Sequence, residues 1–205
     1  MGLYQTILRD INAVQRHDPA TGSKVEAILA HTPLHAIMAH RFIHPLYNLG
    51  LRIIPRLLSN LNRFFTGVEI HPGARIGAGL FIDHGTGIVI GETAVVGEDC
   101  LLFHQVTLGG TGHLSGKRHP TLGDRVLIGT SATLLGPIQV GNDVRIGAET
   151  VIINHDVPDS CTVVGAPGRI VRRDGQRVDQ PLTVSAYHLR RRQEEEDGLP
   201  PDYEI

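Results

Sequence analysis

Two short segments carry residues suited to acid–base chemistry. His84, in Ile82-Asp83-His84-Gly85, is a candidate general base, because imidazole exchanges its proton near neutral pH. Glu69 precedes His84 by 15 residues, and a carboxylate bonded to one ring nitrogen would fix the tautomer and raise the basicity of the other nitrogen. The spacing leaves a second interpretation open, in which His84 is a turn histidine and Glu69 faces solvent.

A second group of polar residues lies in the segment KRHP at 117–120. The guanidinium of Arg118 would suit bidentate capture of a small carboxylate, although an exposed basic loop has the same composition. The preceding segment GGTG at 109–112 offers free backbone N–H groups, which by themselves are a weak signal for a phosphate site. The KRHP segment therefore predicts a site for a small carboxylate, with an exposed basic loop as the alternative.

The overall composition narrows the class of protein. The 205-residue chain carries 19 Lys and Arg against 21 Asp and Glu, without a basic stripe, which argues against a nucleic-acid partner. It has two cysteines and no CxxC, and Arg9 and Asp10 stand where a signal peptide would need apolar residues. No uncharged apolar segment approaches the ~18 residues of a membrane span. We therefore expect a soluble, cytoplasmic protein.

The middle of the chain is a repeat with a period of six residues. Nineteen of the 24 glycines lie between positions 67 and 168, a stretch with only two aromatic residues. Aliphatic residues occupy 14 of the 15 expected positions, and glycine often follows them. The aliphatic positions are Ile70, Ile76, Ile82, Ile90, Val96, Leu102, Leu108, Leu122, Ile128, Leu134, Val140, Ile146, Ile152 and Val164, and Pro158 is the exception.

Neither an α-helix nor an ordinary strand produces one aliphatic residue in every six. A parallel β-helix does, because three hexads form one triangular coil and stacked coils bury the aliphatic residues in a narrow core. The repeat predicts about five coils of the left-handed kind. The period is interrupted twice, at His84, where the interval is eight residues, and between Leu108 and Leu122, where it is 14. A repeat needs no interruptions for stability, so we expect the functional residues there.

The flanking segments indicate an α+β protein with three parts. Helical spacing from Tyr4 to Val14, then over 23–49 and 51–65, predicts an all-helical N-terminal domain at 1–66, interrupted at its prolines. The β-helix domain is expected at 67–171. Residues 172–205 have few apolar side chains and a charge run, which predicts an extended arm and a flexible tail.

The motifs together resemble those of the serine O-acetyltransferases, a family of the hexapeptide-repeat acyltransferase superfamily. The resemblance runs from about Ile11 to Val171. It is carried by the segments EIHPGA at 69–74, FIDHGTG at 81–87, IGETA at 90–94, VTLGGTG at 106–112, KRHP at 117–120 and VGAP at 164–167. It implies transfer of an acetyl group from acetyl-CoA to the hydroxyl of L-serine, which is the first step of cysteine synthesis from serine.

The resemblance also implies a role for each matching residue near the amino acid. His84 matches the general base that takes the proton of the serine hydroxyl, and Glu69 stands where the family places an orienting carboxylate, often aspartate. Asp83, Arg118 and His119 match the amino-acid pocket. A further pocket residue from the helical domain corresponds to Asp18.

On the acetyl-CoA side the match is less close. Gly110 matches a backbone contact to the pantetheine arm. Thr130 stands where the family usually has alanine, and Arg145 replaces a lysine near the nucleotide, which keeps the charge but not the shape. No metal is implied.

The resemblance further implies several partners. The relatives are homotrimers or dimers of trimers with active sites between subunits, and they are often inhibited by L-cysteine in the serine pocket. The C-terminal Ile205 resembles the residue that docks into O-acetylserine sulfhydrylase. An ordinary frayed terminus is the alternative for Ile205.

Other functions are compatible with the same repeat. One alternative is an acetyltransferase whose acceptor is another small hydroxylated compound, such as homoserine or a sugar. A metal-dependent hydratase would need three histidines around zinc, for which His71, His104 and His119 are the conceivable ligands. A regulatory scaffold for the sulfhydrylase would be expected to have a damaged His84 or KRHP segment, and both are intact.

Overall fold

The computed structural model describes residues 2–111 and 116–189, in which helices precede a stack of short strands. The helices are α1 (Leu3–His17), α2 (Lys24–Ala30), α3 (Thr32–Asn48) and α4 (Ile53–Thr66). The strands are β1 (Glu69–Ile70), β2 (Arg75–Ile76), β3 (Phe81–Asp83), β4 (Val89–Ile90), β5 (Val95–Val96), β6 (Leu101–Phe103), β7 (Thr107–Gly109), β8 (Thr121–Leu122), β9 (Leu127–Ile128), β10 (Thr133–Leu135), β11 (Gln139–Val140), β12 (Arg145–Ile146), β13 (Val151–Ile153), β14 (His155–Asp156), β15 (Cys161–Val164), β16 (Arg169–Arg173), β17 (Gln176–Pro181) and β18 (Thr183–Val184).

The strands from β1 to β15 form three parallel faces of a β-helix. Sheet A contains β1, β4, β7, β10 and β13, sheet B contains β2, β5, β8 and β11, and sheet C begins with β3, β6, β9, β12 and β15. A bridge from Val140 to Val157 adds a fifth level to sheet B. Five strands in sheet A confirm the predicted five coils. The chain passes through corners that we name C–A, A–B and B–C after the sheets they join.

The repeat fixes which side chains fill the core. In sheet A, Ile90 pairs with Ile70 and Leu108, and Leu134 continues the same ladder. Nearly all the periodic aliphatic residues are buried, and so are the small residues two positions before the next one, such as Ala94. Stacked branched side chains of this size leave no room for aromatic rings, which explains the composition of the segment.

The last coil differs from the expected period. Val164 was predicted to point inward, but it is 38% exposed, whereas Val157 and Val163 are buried. The interval from Ile152 to the next inward residue, Val157, is five residues instead of six. Each later inward position therefore comes one residue earlier than the period predicts. Pro158 therefore does not occupy a core position. The prediction was wrong at Val164 because a period counted across Pro158 could not register this deletion.

A ladder of short polar side chains holds the B–C corners together. The side-chain oxygen of Asp124 accepts from the Glu98 N–H at 2.8 Å, that of Asn142 accepts from the Asp124 N–H at 2.9 Å, and that of Asp159 accepts from the Asn142 N–H at 2.6 Å. Each acceptor satisfies a backbone donor of the preceding coil, next to backbone hydrogen bonds that join the same corners, such as that from the Arg125 N–H to the Glu98 carbonyl. Asp99, one position further along the same corner, accepts from Arg9 of α1 instead.

The helical cap is joined to the first coil by a buried ion pair. Arg41 of α3 donates from Nε to Asp10 of α1 at 3.0 Å, and also contacts the carbonyl oxygens of Ile76 and Gly77. Asp10 in turn accepts from the Gly79 N–H at 2.8 Å. The segment predicted as one helical region over 23–49 is two helices, because the chain turns at His31, ahead of a proline that opens α3.

The segment after the coils is more ordered than an extended arm. β16 pairs antiparallel with β15, and β17 pairs antiparallel with β16, so a hairpin extends sheet C. β18 pairs with β14. Among the described residues, no helix combines the length and the apolar character needed to cross a membrane.

Candidate active site

His84 lies at the first C–A corner, where the period is interrupted. Its backbone is in the left-handed region at φ 60°, and its side chain is 77% exposed. Its Nε2 lies 3.8 Å from Oδ1 of Asp83, and its ring meets that of His104 edge-on at 5.9 Å between centroids. Gly85 follows at φ +77°, and a Cβ there would lie 2.7 Å from Val68. Only glycine fits this position, so the turn that presents His84 depends on it.

Glu69 lies at the same corner as His84 but has a different partner. The Gly87 N–H donates to the Gly67 carbonyl and the Glu69 N–H to Ile88, so the backbone segments before β1 and before β4 run side by side. The Glu69 carboxylate contacts Arg63 of α4 at 2.8 Å. Among the described residues, no hydrogen bond joins it to His84. The orienting role of Glu69 therefore stays a prediction.

The helical cap adds Asp18 and His31 to this corner. Asp18 follows α1, and its carboxylate accepts from the Thr21 hydroxyl at 2.6 Å and from the Ala20 N–H at 2.8 Å. These two hydrogen bonds lower the pKa of Asp18, with smaller contributions from His31 and His84. The carboxylates of Asp18 and Asp83 therefore lie at this corner beside an exposed imidazole, while that of Glu69 contacts Arg63.

His31 is a further residue of this corner that no sequence motif marks. Its Nδ1 accepts from the Leu34 N–H at 3.2 Å, and its ring packs against Phe81 at 5.5 Å. Burial lowers the pKa of His31, and the charges of Asp18 and Asp83 oppose that shift. The residue precedes Thr32-Pro33 at a helix start, and nothing in that pattern indicates that it lies beside the two carboxylates.

Arg118 lies at the A–B corner and is held by two side chains that sequence analysis did not select. Its Nη2 contacts Oε2 of Glu92 at 2.5 Å, and the Tyr47 hydroxyl donates to Oε1 of the same carboxylate at 2.6 Å. Tyr47 and then Arg118 hold the pKa of Glu92 at about 2. The IGETA segment was the available signal for Glu92, whereas Tyr47 comes from α3 and had none.

His119 follows Arg118 and is buried, with 8% of its surface exposed. Its Nδ1 lies 2.9 Å from the Thr93 hydroxyl and 3.2 Å from the Thr93 N–H. Burial lowers the pKa of His119 to about 4, and the charges of Arg118 and Lys117 add to this. Lys117 donates to the Thr93 carbonyl at 2.7 Å, so three consecutive residues of the loop contact Thr93.

The A–B corner and the C–A corner are at opposite ends of the strands of sheet A. In β4, for example, Ile88 precedes the strand on the His84 side and Gly91 follows it on the Arg118 side. The structure thus brings together Asp18, Asp83 and His84 in one group, and Arg118 and His119 in another. A strand of two or three residues, about 7 to 10 Å long, separates them.

The residues predicted for acetyl-CoA are also divided between the corners. Gly110 begins the long loop, and a Cβ there would lie 3.0 Å from the Arg118 carbonyl oxygen. Thr130 belongs to the C–A corner, where its hydroxyl lies 3.0 Å from Nδ1 of His104. Arg145 is an exposed residue of β12. Ile205 lies outside the described residues.

The histidines proposed for a zinc site do not form one group. His71 and His119 belong to the A–B corner, whereas His104 belongs to the C–A corner beside His84. In the part of the chain that the structure describes, no three His, Cys, Asp or Glu side chains are grouped so that they could hold one metal ion.

This fold and these corners define a transferase of the hexapeptide-repeat class. The family model described as bacterial transferase hexapeptide (six repeats) matches residues 119–154, which run from β8 in the third coil to β13 in the fifth. The match agrees with the left-handed β-helix expected from the sequence.

Similarities that extend over most of the chain are more specific. A serine acetyltransferase from Synechococcus elongatus is 54% identical over 183 residues, which are 89% of this chain and 74% of that protein. The crystal structure of Neisseria gonorrhoeae serine acetyltransferase in complex with serine aligns with a TM-score of 0.79 at 42% identity, over 83% of this chain and 69% of that one. A serine acetyltransferase in complex with cysteine aligns with a TM-score of 0.81 at 40% identity, over 84% of this chain and 66% of that one. The chain belongs to the serine acetyltransferase family.

Proposed function

We propose that this chain transfers the acetyl group of acetyl-CoA to the hydroxyl of L-serine, giving O-acetyl-L-serine and CoA. Membership of the family supports the reaction, and one structural observation supports the site. His84 presents an exposed imidazole on a glycine-dependent turn, beside the carboxylates of Asp83 and Asp18. A base and two anions at one corner suit a substrate that carries both a hydroxyl and an ammonium group.

The reaction is direct acyl transfer with His84 as the general base. The imidazole takes the proton of the serine hydroxyl while that oxygen attacks the thioester carbonyl carbon. The carbon–sulfur bond then breaks, and the imidazolium returns the proton to the departing thiolate. The acetyl group passes directly from the sulfur of CoA to the oxygen of serine, and His84 returns to its neutral form. No acyl-enzyme is needed. We propose that Glu69 orients the base. For this the Glu69 carboxylate leaves Arg63 and bonds to the ring of His84.

The amino-acid pocket needs both groups of residues. Asp18 and Asp83 suit the ammonium of serine, while Arg118 and His119 suit its carboxylate. Because one chain places these groups at opposite ends of the sheet A strands, we propose that the His84 corner of one copy meets the Arg118 corner of another in a homotrimer. Closed threefold symmetry repeats this contact three times. A dimer of trimers stays compatible with this arrangement.

Acetyl-CoA is proposed to lie along the same interface. A Cβ at Gly110 would crowd the Arg118 carbonyl oxygen at 3.0 Å, and we propose that the Gly110 backbone contacts the pantetheine arm. The exposed Arg145 supplies a positive charge for the nucleotide end, and Thr130 lies at the C–A corner, in contact with the His104 ring that meets His84. No metal has a part in this reaction.

An acceptor panel tests the reaction. We expect CoA release from acetyl-CoA to be fastest with L-serine and slow with L-homoserine, L-threonine and simple sugars, measured by thiol titration. Faster CoA release with homoserine or a sugar would show that this compound, and not serine, is the acceptor. Absence of release with every acceptor, from a protein of native secondary structure, would contradict the proposed activity.

Regulation and partners follow from the same pocket. L-Cysteine differs from serine by one atom, so we propose that it competes at Arg118, as the cysteine complex of a relative suggests.

We further propose a cytoplasmic location, and docking of Ile205 into O-acetylserine sulfhydrylase. Deletion of Ile205 is expected to abolish co-elution with that enzyme and to leave acetyl transfer unchanged. Undiminished co-elution of the truncated chain would contradict the docking role.

A further inference from the structure

The side chain of Thr93 has its hydrogen-bonding capacity filled by the loop that carries Arg118 and His119. A threonine hydroxyl has one hydrogen to donate and two lone pairs to accept with. The Arg118 N–H donates to Oγ1 at 3.0 Å and the His119 N–H donates to it at 3.2 Å. Both lone pairs are therefore used, and the hydroxyl hydrogen has to be donated.

The acceptor for that hydrogen is the ring of His119. Oγ1 of Thr93 lies 2.9 Å from Nδ1 of His119, and the Thr93 backbone N–H, which can only donate, points at the same nitrogen at 3.2 Å. A nitrogen that accepts from two donors carries no hydrogen itself. The ring proton therefore resides on Nε2, and the tautomer follows from the contacts of Thr93 alone.

The surroundings of His119 also keep a second proton off the ring. Positive charges face it from Arg118 and Lys117 on its own loop, while Glu92 supplies the opposing negative charge; His71, whose own pKa is lowered by burial, is the smallest contributor. With burial, the balance lowers the pKa of His119 to about 4. The imidazole is thus neutral under the conditions in which a serine hydroxyl is acetylated.

The orientation of the ring is fixed by Gly91. A Cβ at Gly91 would lie 2.0 Å from Cδ2 and 2.1 Å from Nε2 of His119, so the ring rests directly on the glycine backbone. Gly91 and Thr93 flank Glu92, which holds Arg118. One short turn therefore positions both residues of the predicted carboxylate pocket. Among the described residues, no protein group accepts a hydrogen bond from Nε2 of His119.

We propose that Thr93 is a positioning residue that fixes His119 as a neutral Nε2–H donor, which binds a carboxylate oxygen of the amino-acid substrate and takes no part in proton transfer. This rests on the proposed function, because the substrate is the proposed one. The two histidines of the site then have separate roles. His84 is the base, and His119 donates a hydrogen bond from a ring that stays neutral at neutral pH.

The tautomer is tested directly by NMR of the ¹⁵N-histidine-labelled protein, with His119→Gln used to assign its signals. From about pH 6 to about pH 8, we expect Nδ1 of His119 to be unprotonated and Nε2 to be protonated. A proton on Nδ1, or titration of His119 within this range, would overturn the proposal. The measurement does not depend on turnover. It therefore tests the tautomer of His119 even if the acceptor panel shows that serine is not the substrate.

Kinetics with matched variants test the roles of Thr93 and His119. Thr93→Ser keeps the hydroxyl and should retain the wild-type KM for serine, whereas Thr93→Val should raise that KM about tenfold with a smaller change in kcat. His119→Gln places an amide N–H near the position of Nε2 and should outperform His119→Asn. Equal KM values for Thr93→Ser and Thr93→Val, or equal activity of the two His119 variants, would contradict the proposal.

Discussion

At the scale of single residues, the two histidines of the predicted site differ in their surroundings. His84 is exposed on a strained turn, while His119 is buried against Gly91 and bonded to Thr93. Exposure leaves a ring nitrogen of His84 accessible to a substrate hydroxyl, and burial keeps His119 neutral. The same residue type is therefore suited to proton transfer at one corner and to hydrogen-bond donation at another.

His84→Ala is expected to lower kcat for acetyl transfer by about 10²–10⁴-fold, because the variant lacks the base that accepts the hydroxyl proton. The circular dichroism spectrum should match that of the wild type, since the side chain is exposed. His35→Ala, which removes an exposed histidine of α3, is the control and should keep wild-type kcat. Wild-type turnover by His84→Ala would contradict the assignment of the base.

Tyr47→Phe is expected to raise the KM for serine by about two- to tenfold, with little change in kcat. The variant loses the hydrogen bond that fixes the Glu92 carboxylate against Arg118, and only part of its worth of about 1.5–3 kcal/mol is passed on to serine binding. Initial-rate kinetics at varied serine concentration measure this effect. Arg118→Lys, which keeps the charge but not the planar fork, should raise the same KM further. An unchanged KM in Tyr47→Phe would show that Arg118 needs no such support.

At the scale of elements, the docking of α3 on the first coil has a pH dependence. His40 of α3 is buried, and its ring nitrogen Nε2 lies 3.1 Å from the Ala74 carbonyl, to which it must donate. Burial, together with the charges of His44 and Arg41, lowers the pKa of His40 to about 3. The folded chain therefore holds His40 neutral at a pH where the unfolded chain would protonate it.

The sign of the effect on stability follows from this difference. Below the ordinary value of 6.5 the unfolded state binds a proton at His40 and the folded state does not, so the free energy of unfolding falls as the pH drops from 6.5 towards 3. His40 alone contributes a slope approaching 1.4 kcal/mol per pH unit. Urea unfolding of His40→Gln across this range should show a shallower pH dependence than the wild type. An equal slope would contradict the buried neutral state.

At the scale of the whole molecule, the helical cap has an apolar surface that the other described residues do not cover. α4 has exposed apolar residues along its length, among them Ile53, Leu57, Phe64 and Phe65. A surface of this kind on a single chain is typical of an interface. Together with the division of the predicted site between two corners, it supports an assembly in which neighbouring copies complete one another.

Mixing two inactive variants tests the shared site. His84→Ala and Arg118→Ala should each be inactive alone. If every site takes His84 from one subunit and Arg118 from the next, refolding an equal mixture should restore about a quarter of the wild-type sites by random pairing. Refolding each variant separately, followed by mixing without unfolding, is the control. Failure of the co-refolded mixture to regain activity would place both residues of a site in one chain.

The sequence by itself determined the β-helix, because a six-residue period with one inward aliphatic residue is satisfied by local coil geometry and needs no distant information. It also indicated where to look, since His84 and the KRHP segment lie where the period is interrupted. It could not register the deletion before Pro158, because counting residues assumes that every coil has equal length.

Only the tertiary structure decided which side chains meet. Tyr47 reaches Glu92 across 45 residues, and Thr93 reaches His119 across 26, through hydrogen bonds whose partners no spacing rule connects. The protonation of His119 depends on burial and on neighbouring charges, which exist only after the coils have stacked. The repeat thus specifies a scaffold, and packing between coils and cap sets the chemical state of the residues it carries.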